Sequence, residues 1–263
     1  MQNLKISVLQ SDLVWENAAE NLKNFNKKIS EIKESTDVIL LPEMFNSGFT
    51  MNVENCAETE DGSTIKWLKS TAYGKKCAIA GSIIYDKKSK YYNRFCWVEN
   101  DSEVRHYDKK HLFRFAKENE CFQAGNDHLI IDYKGWKIKP QICYDLRFPT
   151  WSRNKYKNGK FEYDLLIYVA NWPEKRKHHW KTLLMARAIE NMCYVIGINR
   201  VGVDGKGNSY SGNSMVISPK GDRLAELKNE EEESLTIELS YKDMVQYREK
   251  FNVANDWDDF RLL

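Results

Sequence analysis

The stretch Trp136-Lys137-Ile138-Lys139-Pro140-Gln141-Ile142-Cys143-Tyr144-Asp145-Leu146-Arg147-Phe148-Pro149 organises the rest of the chain. Trp136 to Ile142 reads as a strand that stops abruptly. Asp145 and Pro149 are turn and helix-start residues, and a helical stretch is expected from Trp151. Cys143 then stands where a strand gives way to a helix. Such a junction suits a nucleophile, because free N–H groups at a helix N-terminus lower a thiol pKa. Free cysteine is also among the most buried residue types and behaves as plain apolar filler. This stretch alone leaves both roles open.

Upstream, Lys5 to Leu9 reads as a buried first strand. Ala18, Leu22, Phe25, Ile29 and Ile32 follow at four-three-four-three spacing, one apolar stripe of a helix. In Asp37-Val38-Ile39-Leu40-Leu41-Pro42-Glu43, four apolar residues in a row indicate a strand covered on both faces. Pro42 ends it, because proline cannot donate to a sheet ladder. Ile65, Trp67, Leu68 and Ala72 suggest a second short helix. Cys77–Tyr85, Tyr92–Val98 and Val104–Tyr107 are strand-like, joined by the polar turns Asp86-Lys87-Lys88-Ser89-Lys90 and Glu99-Asn100-Asp101-Ser102.

Downstream, Tyr163 to Val169 is another buried strand, ending at Ala170-Asn171-Trp172-Pro173. A helix over about Lys177 to Met192 is apolar nearly all round, which predicts burial on two sides, by the sheet and by another subunit. Strands are expected at Cys193–Asn199, Ser214–Ile217, Leu224–Leu227 and Leu235–Leu239. Asp204-Gly205-Lys206-Gly207-Asn208 is Gly-rich but lacks the strand-then-helix context of a phosphate loop, so it reads as a surface turn. The tail carries a short helix from Tyr241 and a Trp257/Phe260 segment that could dock on a neighbour. No fixed-period repeat or linker interrupts the 263 residues, which favours one domain over 1–263.

Composition narrows the function classes. With 42% hydrophobic residues, 8 Trp, 14 Tyr and 11 Phe, the chain can build a large core. The 40 basic and 38 acidic residues leave a net charge of +2, too little for a nucleic-acid reading. The first residues lack a signal-peptide pattern, and no apolar run reaches the roughly 18 residues of a membrane span. A cytoplasmic protein is expected. The six cysteines, at 56, 77, 96, 121, 143 and 193, include no C-x-x-C pair. Disulfides are not expected. A metal protein is disfavoured, since the best candidates, His178-His179, are adjacent rather than four apart.

Glu43, Lys109 and Cys143 share an address just beyond the C-terminal ends of strands, where ligands gather in α/β folds. Glu43 is flanked by Pro42, Met44 and Phe45, which partly desolvate it. Lys109 sits in Asp108-Lys109-Lys110-His111-Leu112-Phe113, where the apolar residues imply burial and Glu118-Asn119-Glu120 could supply a partner. Solvated-surface readings compete for both residues. The types complement one another. An ordinary thiol and carboxylate differ by roughly 4 pKa units, or about 5.7 kcal/mol of unfavourable proton transfer. Burial of a carboxylate and an ammonium beside a thiolate close most of that gap.

Leu41-Pro42-Glu43-Met44-Phe45, Lys109-Lys110-His111-Leu112-Phe113 and Cys143-Tyr144-Asp145-Leu146-Arg147-Phe148-Pro149 resemble, in order and approximate spacing, the three signature motifs of the nitrilase (carbon–nitrogen hydrolase) superfamily. The resemblance covers nearly the whole chain, including Ala170-Asn171-Trp172-Pro173 and Arg187-Ala188-Ile189-Glu190-Asn191. Within the superfamily it is nearest to the YafV/Nit2-like omega-amidases. It implies an α/β fold, a four-layer αββα sandwich that dimerises through a helical face. It also implies Glu43 as general base, Lys109 as oxyanion stabiliser and Cys143 as nucleophile. Glu120, five residues before Gly125, matches a second family glutamate, although Glu118 is close by. Asp145 and Arg147 are expected to form a structural pair. Thr150 departs from the Glu that many members carry after Phe-Pro.

The expectation is therefore a cofactor-free, metal-free homodimeric amidase acting on a small dicarboxylic acid monoamide such as 2-oxoglutaramate. The backbone N–H of Tyr144 would join Lys109 at the oxyanion, and Phe45, Phe113, Asn171 and Trp172 would line the pocket. Another carbon–nitrogen hydrolase, taking N-carbamoyl compounds or nitriles, is the nearest alternative. A non-catalytic binding protein on the same fold is the alternative from a different class.

Overall fold

The computed structural model describes residues 2–100 and 103–262. The chain opens with β1 (Leu4–Gln10), α1 (Ala18–Glu31), β2 (Val38–Leu40), α2 (Val53–Cys56) and α3 (Ser63–Lys75). The meander β3 (Ala78–Asp86), β4 (Tyr91–Val98) and β5 (Arg105–Asp108) follows, then α4 (Glu118–Cys121). Next come β6 (Ile131–Tyr133), β7 (Trp136–Ile142), α5 (Pro149–Ser152) and a small hairpin of β8 (Tyr156–Lys157) and β9 (Lys160–Phe161). β10 (Leu165–Ala170), α6 (Lys177–Asn191) and β11 (Tyr194–Asn199) lead to a ribbon of β12 (Val201–Val203) and β13 (Ser209–Ser211). β14 (Met215–Ile217), β15 (Arg223–Glu226), β16 (Glu233–Leu239) and α7 (Tyr241–Lys250) complete the order.

Two six-stranded sheets result, ordered β16-β1-β2-β3-β4-β5 and β15-β14-β11-β10-β7-β6. β1, β2 and β3 are parallel, as are β7, β10 and β11. The period-two rule explains how the sheets are covered. Val38 and Leu40 face the second sheet, in one core with Ile142, Ile167 and Ile196. Ile39 and Leu41 point the other way, to Phe25 and Ile29 of α1 and Leu68 and Ala72 of α3. On the far side, Trp180, Leu184 and Ala188 of α6 pack on the second sheet. There a Cβ at Gly197 would meet Leu184 at 2.4 Å, so the close approach needs glycine. The layers run helix, sheet, sheet, helix, which is the expected αββα sandwich.

Local details refine the expectation. The helical stretch expected from Trp151 is only the single turn of α5, and a 3-10 turn over Cys143–Arg147 precedes it. Pro149 starts α5 at a position where its missing N–H costs nothing. The outer face of α6 is only partly covered within the chain, with Ile189 51% exposed. Trp257 packs edge-on against Phe161, while Phe260 is exposed. The expected turn at Glu99–Ser102 reaches Asp101 and Ser102, which lie outside the described residues. Among the described residues no helix is long and apolar enough to cross a membrane.

Candidate active site

Glu43 stands three residues past β2. Pro42 has ended the ladder, and Met44 adopts a left-handed backbone with φ of 44°. That turn aims successive side chains apart. Glu43 enters the gap between the sheets with no exposure, whereas Phe45 drops into the helix-side cluster beside Phe25 and Trp67. Phe45 is thus not a pocket wall, a correction of the sequence reading. It fills the space left by Gly81, where a Cβ would meet the Phe45 ring at 2.8 Å.

Both Glu43 carboxylate oxygens accept N–H donors. Oε1 accepts from Lys109 Nζ at 2.9 Å and from Asn93 Nδ2 at 2.7 Å, and Oε2 accepts from the Asn171 backbone N–H at 2.8 Å. Asn171 also donates its Nδ2 to the Glu43 carbonyl. The first sheet's glutamate is thereby fastened to the end of β10 in the second.

Lys109 follows β5, and its backbone is pinned on both sides. Its N–H donates to Asn93 at 2.9 Å and its carbonyl accepts from Gly125 at 2.9 Å. Its ammonium, fully buried, also donates to Glu118 at 3.0 and 3.1 Å. Glu118 further accepts the Phe113 N–H. Glu120, the expected second glutamate, is exposed and pairs with Lys117 at 3.7 Å on the surface. The reason lies in α4. Glu118 opens it directly after Lys117, which is left-handed at φ 61°, and shares its inward face with Phe122 four residues on. Glu120 points to the opposite side. The burial of Phe122 was the available signal for Glu118.

Cys143 is the first residue of the 3-10 turn after β7, with φ of 44°, a conformation a residue with a Cβ adopts only where its surroundings enforce it. The enforcement comes from Asp145. Its carboxylate accepts from the Tyr107 hydroxyl at 2.7 Å, the His111 N–H at 3.0 Å and the Ile142 N–H at 3.1 Å. Arg187 adds a hydrogen bond to the Leu146 carbonyl at 2.6 Å. Asp145 is therefore spent on the turn, and the expected Asp145–Arg147 pair does not form.

The Cys143 thiol lies 3.9 Å from the Asn171 carbonyl, its hydrogen-bond acceptor, with the Glu43 carboxylate close enough to act on it electrostatically. Burial and the negative Glu43 hold the thiol well above its usual pKa, and Lys109 only partly offsets them. This reverses the expected lowering by the helix N-terminus. The turn is too short to carry a strong dipole, and two buried carboxylates outnumber one ammonium. Burial alone would strip Lys109 of its proton, but Glu118 and Glu43 outweigh it and hold the ammonium charged. Burial likewise pushes Glu118 up, against the pull of Lys109.

A cavity of about 370 Å³ opens onto Cys143 and Lys109. Phe113, Tyr144, Asn171 and Trp172 line it as expected, together with Phe49, which sequence reasoning missed. Its two arginines were also missed as pocket residues. Arg147 lies over Trp172, 4.7 Å from the ring centroid, and Arg176 lies over Phe113 at 5.3 Å. Arg147 donates to His179 at 3.2 Å, and neither guanidinium has a carboxylate partner among the described residues. Burial, and then the like charge of Arg176, depress the Arg147 pKa.

The Asp204–Asn208 turn is not merely surface. Asp204, Lys206, Asn208 and Tyr210 line the cavity. The ribbon is folded inward by buried Arg200, which donates to Asp12 and Leu13, and Gly205 packs on Trp15. Asp204 accepts from the Tyr210 hydroxyl at 2.8 Å and from two backbone N–H groups, so its carboxylate is already satisfied. Among the described residues no group of three or more His, Cys, Asp or Glu could hold a metal ion.

A family model for carbon-nitrogen hydrolases matches residues 5–249. The chain is 45% identical over 262 residues to the omega-amidase YafV of Escherichia coli K12, covering 100% of both. It is 34% identical over 256 residues to the 2-oxoglutaramate amidase of Bacillus subtilis, covering 95% of this chain and 96% of that one. A crystal structure of a CN-hydrolase superfamily protein from Xanthomonas campestris superposes with a TM-score of 0.97 at 39% identity, with 100% of both chains covered. With a buried thiol, carboxylate and ammonium meeting where the two sheets join, and with relatives similar from end to end, this chain belongs to the carbon–nitrogen hydrolase family.

Proposed function

We propose that this enzyme hydrolyses the terminal amide of a small dicarboxylic acid monoamide, such as 2-oxoglutaramate, to the acid and ammonia. One observation carries the substrate class. Arg147 and Arg176 stand in the same cavity as Cys143 without a carboxylate partner among the described residues. Two neighbouring guanidinium groups of that kind match an anionic substrate end, since Arg presents paired donors to a carboxylate.

The chemistry follows from the charges. Cys143 rests as a thiol, so its proton must leave as it attacks the amide carbonyl. Glu43, whose negative charge acts on that thiol, takes the proton. The developing oxyanion is met by Lys109, held charged by Glu118, and by the Tyr144 N–H in the first turn after the strand. Glu43 then passes its proton to the departing nitrogen, because an amide ion is too basic to leave. A thioester on Cys143 remains. Water enters, Glu43 accepts its proton, and the tetrahedral adduct collapses to acid and thiol.

The reading includes a homodimer formed through the outer face of α6, where Ile189 is half exposed. Ammonia release from 2-oxoglutaramate by wild type and by Cys143→Ala tests the activity. Release by wild type alone supports it. Equal release by both variants overturns the nucleophile, and none from wild type overturns the substrate class.

A further inference from the structure

We propose that Asn93 is a positioning residue that keeps Glu43 competent to accept the thiol proton. The inference rests on Glu43 acting as the base but not on the identity of the substrate.

Asn93 lies within β4, opposite Ile84 of β3, and is fully buried. A carboxamide so placed must have its donors and acceptor satisfied. Here both partners of the amide nitrogen belong to the candidate site. Nδ2 donates to Glu43 Oε1 at 2.7 Å and to Glu118 Oε1 at 3.2 Å. Oδ1 accepts from the Ser82 hydroxyl at 2.9 Å, which fixes which end of the amide faces the glutamates. Ser82 Oγ in turn accepts the N–H of Met44, the left-handed residue next to Glu43. The Asn93 carbonyl takes the Lys109 N–H.

The same two oxygens, Glu43 Oε1 and Glu118 Oε1, also receive the Lys109 ammonium, at 2.9 and 3.0 Å. Two buried carboxylates are thus bridged from one side by a cation and from the other by a neutral N–H. One ammonium alone leaves the two fully buried carboxylates with an excess negative charge. Glu43 accepts the Cys143 proton only as a carboxylate, so its negative charge has to be held by donors that add no charge of their own. The Asn93 carboxamide stabilises the ionised pair without adding charge. An apolar residue would fill the same volume but supply no N–H.

The test compares wild type with Asn93→Ala, Asn93→Asp and Ser82→Ala. The charged or titratable groups facing this position are Glu43, Glu118, Lys109 and Cys143. Asn93→Ala is expected to lower kcat about 10- to 100-fold with KM within about threefold of wild type, as for one lost hydrogen bond to a charged group. The acid limb of the kcat/KM profile should move to higher pH. Asn93→Asp, which sets a third carboxylate there, should move it further. Ser82→Ala, which touches neither glutamate, should move it less.

A folded Asn93 variant whose acid limb coincides with that of wild type overturns the proposal, whatever its rate. If neither Asn93 variant folds, an unmoved limb in Ser82→Ala does the same. Alkylation of Cys143 by iodoacetamide draws on the same proton transfer and needs no substrate, so its acid limb is recorded alongside. A shifted alkylation limb in variants of a wild type that releases no ammonia would sink the substrate assignment and leave the role of Asn93 standing.

Discussion

The ammonium of Lys109 lies 2.9 Å from a Glu43 oxygen, and neither side chain has any exposure. Glu118 completes the buried trio at 3.0 Å. Desolvation makes such a cluster costly to break from one side. Lys109→Met should abolish turnover and lower stability by about 3–5 kcal/mol, because two carboxylates lose the buried cation that bridges them. Urea unfolding followed by tryptophan fluorescence measures the loss. A midpoint within experimental error of wild type would contradict it.

The two nearby glutamates should separate sharply. Glu118→Gln is expected to cost about 100-fold in kcat, since Lys109 loses the anion that holds it charged and in place. Glu120→Gln should stay within about twofold, its partner being the exposed Lys117. Steady-state rates on one substrate decide between them, and the reverse ranking would return the role to Glu120.

Arg147→Ala should raise KM for a carboxylate-bearing amide about 10- to 100-fold, the worth of a hydrogen-bonded charge, with a smaller change in kcat. Turnover of an uncharged short amide should hardly change. A KM rise equal for both substrates would mean that Arg147 shapes the cavity through Trp172 rather than reading charge.

Glu43→Gln should uncouple two properties of Cys143. Amide turnover should vanish with the base. The negative charge that helps hold the thiol protonated vanishes too, while Lys109 remains. The midpoint of thiolate formation, followed by ultraviolet absorbance or by alkylation against pH, should therefore fall below the wild-type midpoint. An unchanged or higher midpoint would show that burial alone governs the thiol.

Lys139 offers a prediction remote from the chemistry. It is almost fully buried, with Glu162 at 3.8 Å, and burial depresses its pKa to about 8. The unfolded chain binds this proton more tightly, so the group destabilises the fold below pH 8. That effect fades as pH rises from about 8 toward the ordinary lysine value near 10.4. Lys139→Met should stabilise the protein by about 1–3 kcal/mol at pH 7, with the gap closing by pH 10. Thermal melts across that range test the sign.

The sequence made the strand ends legible because Pro42, Pro149 and the unbroken apolar runs are local signals. It placed Glu43, Lys109 and Cys143 through three motifs in order. It misplaced Phe45 and Glu120 because backbone turns of positive φ, at Met44 and Lys117, decide where the following side chains point. Neither turn contains glycine, so nothing in the residue types announced them. The Asp204–Asn208 turn looked exposed because its contacts are remote, with Arg200 reaching Asp12 at a separation of 188 residues. Arg147 escaped because Asp145, its apparent partner, is consumed by Tyr107, His111 and Ile142.

Glu43 takes its Oε2 donor from Asn171, 128 residues further along and in the other sheet. The strand that closes the first sheet, β16, comes later still and pairs Leu239 with Leu4. A growing chain therefore cannot assemble its proton acceptor until the second sheet has been synthesised and laid against the first. Until then Cys143 is an ordinary cysteine on an unfinished polypeptide. Cys143 and its proton acceptor come together only through contacts between the two sheets, so catalysis reports their docking.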